Sequence, residues 1–389
     1  MGEWREVSLY DVAEYINGRP TKPSEATQRG VPVIKIAELN RGITDNTNRV
    51  AAQLVEDKHW VSPGDLLFAW SGSVGVYKYS GPRAALNQHI FRVVARPEVD
   101  QVFLRYLLLF YLPTFLSYVE NKKTTMGHVT IKDIQRTVVF LPPLSEQRAI
   151  AEVLGALDDK IEGNRKTATF IEELLAMEFA LAQFDSIHNN PVALKDIIKV
   201  NPPRPRPNGK LAPYIDMNAL PINSALVNEY AVRESKSGSR FQNGDTLFAR
   251  ITPCLENGKA AFIDCLEGSS IGIGSTEFIV MRPKPSVPAQ FAYFLARSER
   301  FREYAIKHMS GSSGRQRCPA DSIGLYPLQQ PDYNNLNAFG KKCDEGFSLM
   351  RSLLNESYLL ALLRDTLLPK LLSGELRIKD TKQLLELTV

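Results

Sequence analysis

The chain repeats itself, and that constrains its fold more than any other feature. Val61-Ser-Pro-Gly-Asp-Leu-Leu-Phe-Ala-Trp70 returns as Phe241-Gln-Asn-Gly-Asp-Thr-Leu-Phe-Ala-Arg250. Leu9-Tyr-Asp-Val12 returns as Leu194-Lys-Asp-Ile197, and Phe103-Leu-Arg-Tyr-Leu107 as Phe291-Ala-Tyr-Phe-Leu295. Phe91-Arg-Val-Val-Ala-Arg-Pro97 matches Phe278-Ile-Val-Met-Arg-Pro283, one residue shorter. Asp133 to Pro142 matches Asp321 to Leu328. The offset stays between about 180 and 188 residues. A period this long means two similar domains, because solenoid repeats run roughly 20–50 residues. Two like domains on one chain suit reading two like things at a fixed separation.

The 389 residues have room for two or three domains, and 44% hydrophobic content supplies real cores. A formal net charge of +4 does not by itself announce nucleic acid, so local clusters must carry that argument. Cys254, Cys265, Cys318 and Cys343 form no CxxC pair, which fits free thiols in a reducing cytosol rather than a zinc site or a disulfide set. The polar opening Met1-Gly-Glu-Trp-Arg5 does not read as a signal peptide, and a cytoplasmic location is expected. The most apolar run, Val102–Val119, carries Arg105 and Pro113, and is read as a buried helix rather than a membrane span.

Residues 1–143 read as an α/β domain. Short β-rich runs (Val31–Ile36, Asp65–Trp70, Ile90–Ala95) precede a helical stretch near Gln101–Tyr118, and Pro142-Pro143 stops the domain. Ser145-Glu-Gln then opens a helix over 144–184, with Ser145 as N-cap. Its seam is Ile150, Leu154, Leu157, Ile161, Asn164, Ala168, Ile171 and Leu175, in steps of four and three. Asn164 is a polar seam residue of the kind that costs stability and sets register. Such a helix extends about 55–60 Å. A linker over 185–191 leads to the second domain, 192–330. A second helix over 331–372 carries the seam Leu336, Gly340, Cys343, Phe347, Met350, Leu354, Ser357 and Ala361. Pro369 and then Ser373-Gly374 are expected to end it, leaving a tail over 373–389. Two long seams separated by a compact domain most simply pair antiparallel. The fold expected is α+β: two similar α/β domains joined by an antiparallel coiled coil, with pseudo-two-fold symmetry.

No catalytic centre is legible. The five histidines are scattered, with no HExxH, GxSxG or P-loop pattern, and no metal site is expected. Asn201-Pro-Pro-Arg204 resembles the Asn-Pro-Pro-aromatic tetrad of DNA amino-methyltransferases. Arg204 cannot supply the aromatic ring that stacks on a flipped base, and no glycine-rich cofactor loop precedes it.

What remains is binding chemistry. Each copy has a polar, basic loop after its helical stretch: Asn121 to His128, with Lys122, Lys123, Thr124, Thr125 and His128, and Lys307 to Arg317, with Ser312, Arg315, Gln316 and Arg317. Lysine and arginine neutralise phosphate, hydroxyls bond its oxygens, and arginine, glutamine and histidine reach base edges. A second set follows each Gly-Asp run: Trp70, Ser71 and Ser73 with Lys78, and Arg250 and Thr252 with Lys259. A third is Asn87, Gln88 and His89, matched by Ser275, Thr276 and Glu277. A fourth is Arg204 and Arg206 with Lys210. Recurrence at equivalent places in both copies favours function over ordinary surface turns.

Several runs resemble the DNA-specificity subunit of type I restriction–modification systems. The clearest is Leu141-Pro-Pro-Leu-Ser-Glu-Gln-Arg-Ala-Ile-Ala151 leading into Leu157-Asp-Asp-Lys-Ile161. Gly64 to Ser73, Asn87-Gln-His-Ile90, Gly244 to Cys254 with Glu256-Asn-Gly-Lys259, and Leu368-Pro-Lys-Leu-Leu-Ser-Gly-Glu-Leu376 are also similar. The second copy departs from the pattern: Tyr326-Pro-Leu-Gln-Gln-Pro331 stands where a second Pro-Pro-Leu-x-Glu-Gln belongs. The resemblance implies a non-catalytic DNA-binding subunit in which each domain reads one half of a bipartite site on double-stranded DNA. The helices would set the spacer and dock methylation subunits, expected to be two, and through them restriction subunits. S-adenosylmethionine would be bound by the methylation subunit, with no cofactor on this chain. Glu162, Arg165, Lys166, Glu172 and Glu173 are candidate docking positions on the first helix. The competing readings are a two-domain structural adaptor without a DNA role and a fused DNA methyltransferase fragment.

Overall fold

The computed structural model describes residues 4–121, 127–186, 191–207, 211–234, 237–268, 270–312, 314–330 and 332–378. The chain divides into two compact units, Met1–Lys160 with Leu360–Val389, and Ile161–Leu359. Each long helix contributes one portion to each unit.

In unit 1 the strands are β1 (Arg5–Ser8), β2 (Ala13–Asn17), β3 (Ala26–Ile34), β4 (Arg49–Val50), β5 (Trp60–Val61), β6 (Leu66–Ala69), β7 (Gly75–Lys78), β8 (Ala84–Leu86), β9 (Ile90–Ala95) and β10 (Val138–Leu141). They form sheets in the orders β2-β9-β6-β7 and β4-β3-β8-β5, with a separate β1-β10 pair. All pairings are antiparallel except β3 with β8. The helices are α1 (Ile36–Arg41), α2 (Gln101–Asn121), α3 (Ile131–Arg136) and the start of α4 (Leu144–Leu181).

Unit 2 repeats this topology. Its strands are β11 (Val192–Ala193), β12 (Ile198–Val200), β13 (Leu211–Ile215), β14 (Ala231–Glu234), β15 (Ser239–Phe241), β16 (Thr246–Ala249), β17 (Ala260–Phe262), β18 (Gly272–Gly274), β19 (Phe278–Pro283) and β20 (Pro327–Leu328). The sheet orders are β12-β19-β16-β17 and β14-β13-β18-β15, with a β11-β20 pair. Helices α5 (Phe291–Arg297), α6 (Glu299–Lys307), α7 (Ala320–Gly324) and α8 (Tyr333–Leu372) follow. The helix matching α2 is thus broken at Ser298, whose hydroxyl caps α6 by accepting from the Phe301 N–H.

The repeated Gly-Asp run has a backbone cause. Gly64 and Gly244 sit at φ 97° and 84°, where a Cβ would be strained. Asp65 and Asp245 then accept the N–H of Ser62 and Gln242, at 2.7 and 2.8 Å. This turn feeds a strand buried on both faces, which explains the unbroken apolar run after it. Leu66 and Phe68 face the core with α2, while Leu67 and Ala69 face a second core with Ile34 and Leu86.

One sequence match shifts in the structure. Ala69 pairs with Ile90, and Ala249 with Phe278, so Phe278 is equivalent to Ile90 and not to Phe91. Phe91 packs in the core with α2, and Phe278 in the core on the other sheet face. A one-residue slip always exchanges faces in this way.

The two helix seams are buried in part, with Ile161, Ala168, Ile171, Leu354, Ser357 and Ala361 only half-buried. Ile150, Leu154, Leu157, Asn164 and Leu175 of α4, and Leu336, Cys343, Phe347 and Met350 of α8, are all below a tenth exposed. Within unit 1, Asp158 meets Arg364 at 2.7 Å and Glu146 meets Arg377 at 2.9 Å. Within unit 2, Asn164 donates to Glu356 at 2.7 Å and Lys342 meets Glu178 at 2.9 Å. In unit 2 one number rises as the other falls, so the helix portions there pair antiparallel. Pro369 does not end α8, which runs to Leu372 before Gly374 at φ 74°. At the start of α4, Gln147 is buried, donates to Pro142 and Glu98 carbonyls and accepts the Asp100 N–H, fixing the helix to its domain. Helix α2 is long and apolar enough to cross a membrane by composition, yet Phe103, Leu104, Tyr106, Leu107, Leu108 and Phe115 are all buried in the unit 1 core.

Candidate nucleic-acid interface

The chemistry-bearing residues of unit 1 converge just past the end of β6. Trp70 donates its backbone N–H to the His89 carbonyl and accepts the Val129 N–H, at 3.2 and 2.8 Å. Ser71 forms a β-bridge with His128. Three segments distant in sequence are thereby tied at one corner. The Trp70 ring lies 5.5 Å from His89, 5.8 Å from Phe91 and 6.3 Å from His128. Its indole N–H reaches Asn17 at 3.3 Å. Asn87 builds the approach: its side chain accepts the His89 N–H, and its carbonyl the Ile90 N–H. His89 is exposed, with the Gln88 amide 3.4 Å from its ring. The corner therefore offers ring faces and neutral-polar edges.

Unit 2 builds the same corner from other side chains. Arg250 donates its backbone N–H to the Glu277 carbonyl and accepts the Cys318 N–H, at 3.0 and 2.9 Å. Ile251 forms a β-bridge with Arg317. Ser275 accepts the Glu277 N–H as Asn87 accepts that of His89. Where unit 1 has Trp70, His89 and His128, unit 2 has Arg250, Glu277 and Arg317. Glu277 holds both guanidinium groups, Arg317 at 2.7 Å and Arg250 at 3.2 Å. The hydrogen bond from Arg317 is the main reason its carboxyl lies below the usual range. Two cations on one anion leave a net positive corner.

The other candidates are dispersed. Ser73 is exposed in the β6–β7 turn. Lys78 is opposite Leu66, at the far end of the strand pair, and so away from the corner. Thr276, Lys307, Ser312 and Arg315 are exposed, and Gln316 accepts the Thr252 N–H at 3.1 Å. The Thr252 hydroxyl is buried without a hydrogen-bond partner among the described residues, so it is not presented outward. Arg204 corrects an expectation: its guanidinium is buried on the fully buried Asp245 at 2.6 Å, which also pairs with Arg282. Arg206 remains exposed. Lys259 is likewise turned inward, its ammonium donating to the Met217 carbonyl at 2.7 Å. Asn201, which opens the tetrad-like run, accepts the Val280 N–H at 2.9 Å, a local structural bond. Lys122, Lys123, Thr124, Thr125 and Lys210 lie outside the described residues.

On α4, Glu162 pairs with Arg165 and Lys166 along the helix, and Glu173 is exposed. Glu172 is not an outward group. It accepts from the Tyr293 hydroxyl and, at 2.8 Å, from the Ala225 N–H. Sequence reasoning left Asn17 and Phe91 out of the unit 1 corner, and reached Glu277 of unit 2 only as a matched position, without its arginine partners.

Fold and corner together define a tandem α+β protein in which each domain carries the same three-segment corner and a stretch of paired long helices. Residues 1–173 match the model of the type I restriction modification DNA specificity domain. The specificity subunit of the type I restriction enzyme EcoBI from Escherichia coli is 29% identical over 177 residues, 44% of this chain and 36% of that protein. That of EcoEI, also from Escherichia coli, is 36% identical over 100 residues, 25% of this chain and 17% of that protein. The MjaVIII specificity subunit of Methanocaldococcus jannaschii is 26% identical over 164 residues, 41% of this chain and 37% of that protein. The chain thus spans little more than a third, at most, of the relatives just named. A solved S subunit of a type I restriction–modification system from M. genitalium shares the fold, with a TM-score of 0.56 over 95% of this chain and 96% of that one, at 13% identity. The resemblance to specificity subunits stands on the family model and the sequence relatives, and the solved structure adds likeness of fold.

Proposed function

We propose that this chain is the sequence-reading, non-catalytic subunit of a type I restriction–modification complex, with each unit reading one half of a split site on double-stranded DNA. The observation that carries the reading is the repeated corner: one backbone scaffold, held by the same hydrogen bonds, with different side chains at the matched positions. Two modules that must grip the same phosphate backbone but read different bases are expected to keep the frame and vary those side chains. The paired helices set the gap between half-sites. Two methylation subunits dock on the chain, bind S-adenosylmethionine and methylate adenine, and restriction subunits join through them in the cytoplasm.

The test is to map adenine methylation across a genome after co-expression with the cognate methylation subunit. A single split motif with a fixed gap is expected, and removing one heptad from Ile150–Leu175 should shorten that gap. An assembled complex that methylates no defined motif would sink the reading. Salt dependence separates it from a structural adaptor: phosphate contacts make affinity fall steeply with salt.

A further inference from the structure

The corner of unit 2 is selective as well as positive. Arg317 gives Nε and one terminal nitrogen to Glu277, and its other terminal nitrogen to the Arg315 carbonyl. Arg250 is held only at its waist, by Nε on Glu277 at 3.2 Å. Neither of its terminal nitrogens has a hydrogen-bond partner among the described residues, and its side chain is 30% exposed. This is a guanidinium fork fixed at its stem with its tines unused.

Such a fork matches two ligands, a phosphate and the O6/N7 edge of guanine. Two observations favour the base. First, Glu277 touches the same guanidinium. A carboxylate there repels a phosphate but not the neutral acceptor pair of guanine. Second, the matching position of unit 1 is Trp70, which has no charge to give a phosphate. A backbone-anchoring position would keep its cation in both copies, because phosphates are the same under every sequence.

We infer that Arg250 reads a guanine in the half-site of unit 2, with Glu277 as the positioning residue that holds the fork in place. The inference rests on the DNA-reading function proposed above. Pre-ordering a long side chain removes an entropic cost of binding, so Glu277 sharpens discrimination without touching the base.

The experiment is methylation mapping with the full-length chain and its methylation subunit, comparing wild type with Arg250→Ala, Arg250→Lys, Glu277→Gln and Trp70→Ala. The wild-type motif should contain a guanine at one position that loses its identity in Arg250→Ala. Preference for that base should fall about 10- to 100-fold, the span of one good bidentate contact. Arg250→Lys should relax the same position, since a lysine keeps the charge but not the fork, and it guards against a folding failure in the alanine variant. Glu277→Gln should keep guanine as the best base but lower the preference several-fold at that position alone, whereas a purely structural role would lower methylation at every site. Trp70→Ala should relax the opposite half-site. A split motif unchanged in both Arg250 variants overturns the guanine assignment and leaves the DNA reading standing. So does a uniform loss over all sequences, the mark of a phosphate contact. No wild-type motif overturns both.

Discussion

The two corners share a frame and differ in chemistry. In unit 1 an indole leans on Phe91 and is flanked by two imidazoles, so the corner is held by ring packing. In unit 2 the same backbone positions carry two arginines on one glutamate, so the corner is held by charge. The contrast extends to the turn beneath. Asp65 accepts one backbone N–H and has no guanidinium partner among the described residues, whereas Asp245 also binds Arg204 and Arg282. A fold can therefore keep this corner in place by either means, provided the main-chain hydrogen bonds are retained.

The sharpest way to break this comparison is at the two aspartates. Asp245→Ala should cost about 3–5 kcal/mol, because it strands a buried guanidinium, Arg204, in the interior. Asp65→Ala loses one hydrogen bond to a backbone N–H and should cost about 1 kcal/mol. Urea denaturation of the two variants measures both values. Equal losses would mean that the second turn gains nothing from its ion pairs.

Next in size are the corners themselves. Trp70→Ala removes a half-buried ring packed on Phe91 and should cost about 2 kcal/mol, below the range for a fully buried aromatic. Arg250→Ala should cost less than about 1 kcal/mol, since the pair is partly exposed and Glu277 keeps Arg317. Thermal melting ranks the two. A larger loss at Arg250 would make its ion pair structural and weaken the case for a free fork.

Much of this frame is legible in the sequence, and for physical reasons. The Gly-Asp turn repeats as letters because its backbone needs a positive φ and a carboxylate, and few residues supply either. The helix seams are legible because burial recurs every three or four residues. The corner is only partly legible. Trp70 and Arg250 are marked by following the repeated run, but Glu277 and His89 become partners only when β9 and β19 pair in register beside β6 and β16. Arg204 misleads because its partner, Asp245, is 41 residues away, and a basic loop reads as surface until that partner is seen. Lys259 misleads likewise, since nothing local marks the Met217 carbonyl as its acceptor. Phe278 misleads by identity: it matches Phe91 as a letter and Ile90 as a position, because only strand pairing tells which face a residue takes.

The smallest expected effect is on acidification, and it should fall on one corner only. Glu277 is held below its ordinary value of 4.5, first by its hydrogen bond from Arg317 and further by Arg250. A carboxyl whose folded pKa is depressed contributes stability that is fully present above its unfolded value and is lost as pH falls through the folded one. Unit 2 should therefore loosen as pH drops below about 4.5, while the Trp70 corner has no carboxylate among these three side chains to lose. Glu277→Gln removes the titrating group. The gap in urea midpoint between wild type and this variant should be widest near neutral pH and should close on acidification. If the gap stays constant with pH, the glutamate acts by packing and hydrogen bonding alone, and the division into a packed corner and a charged one fails.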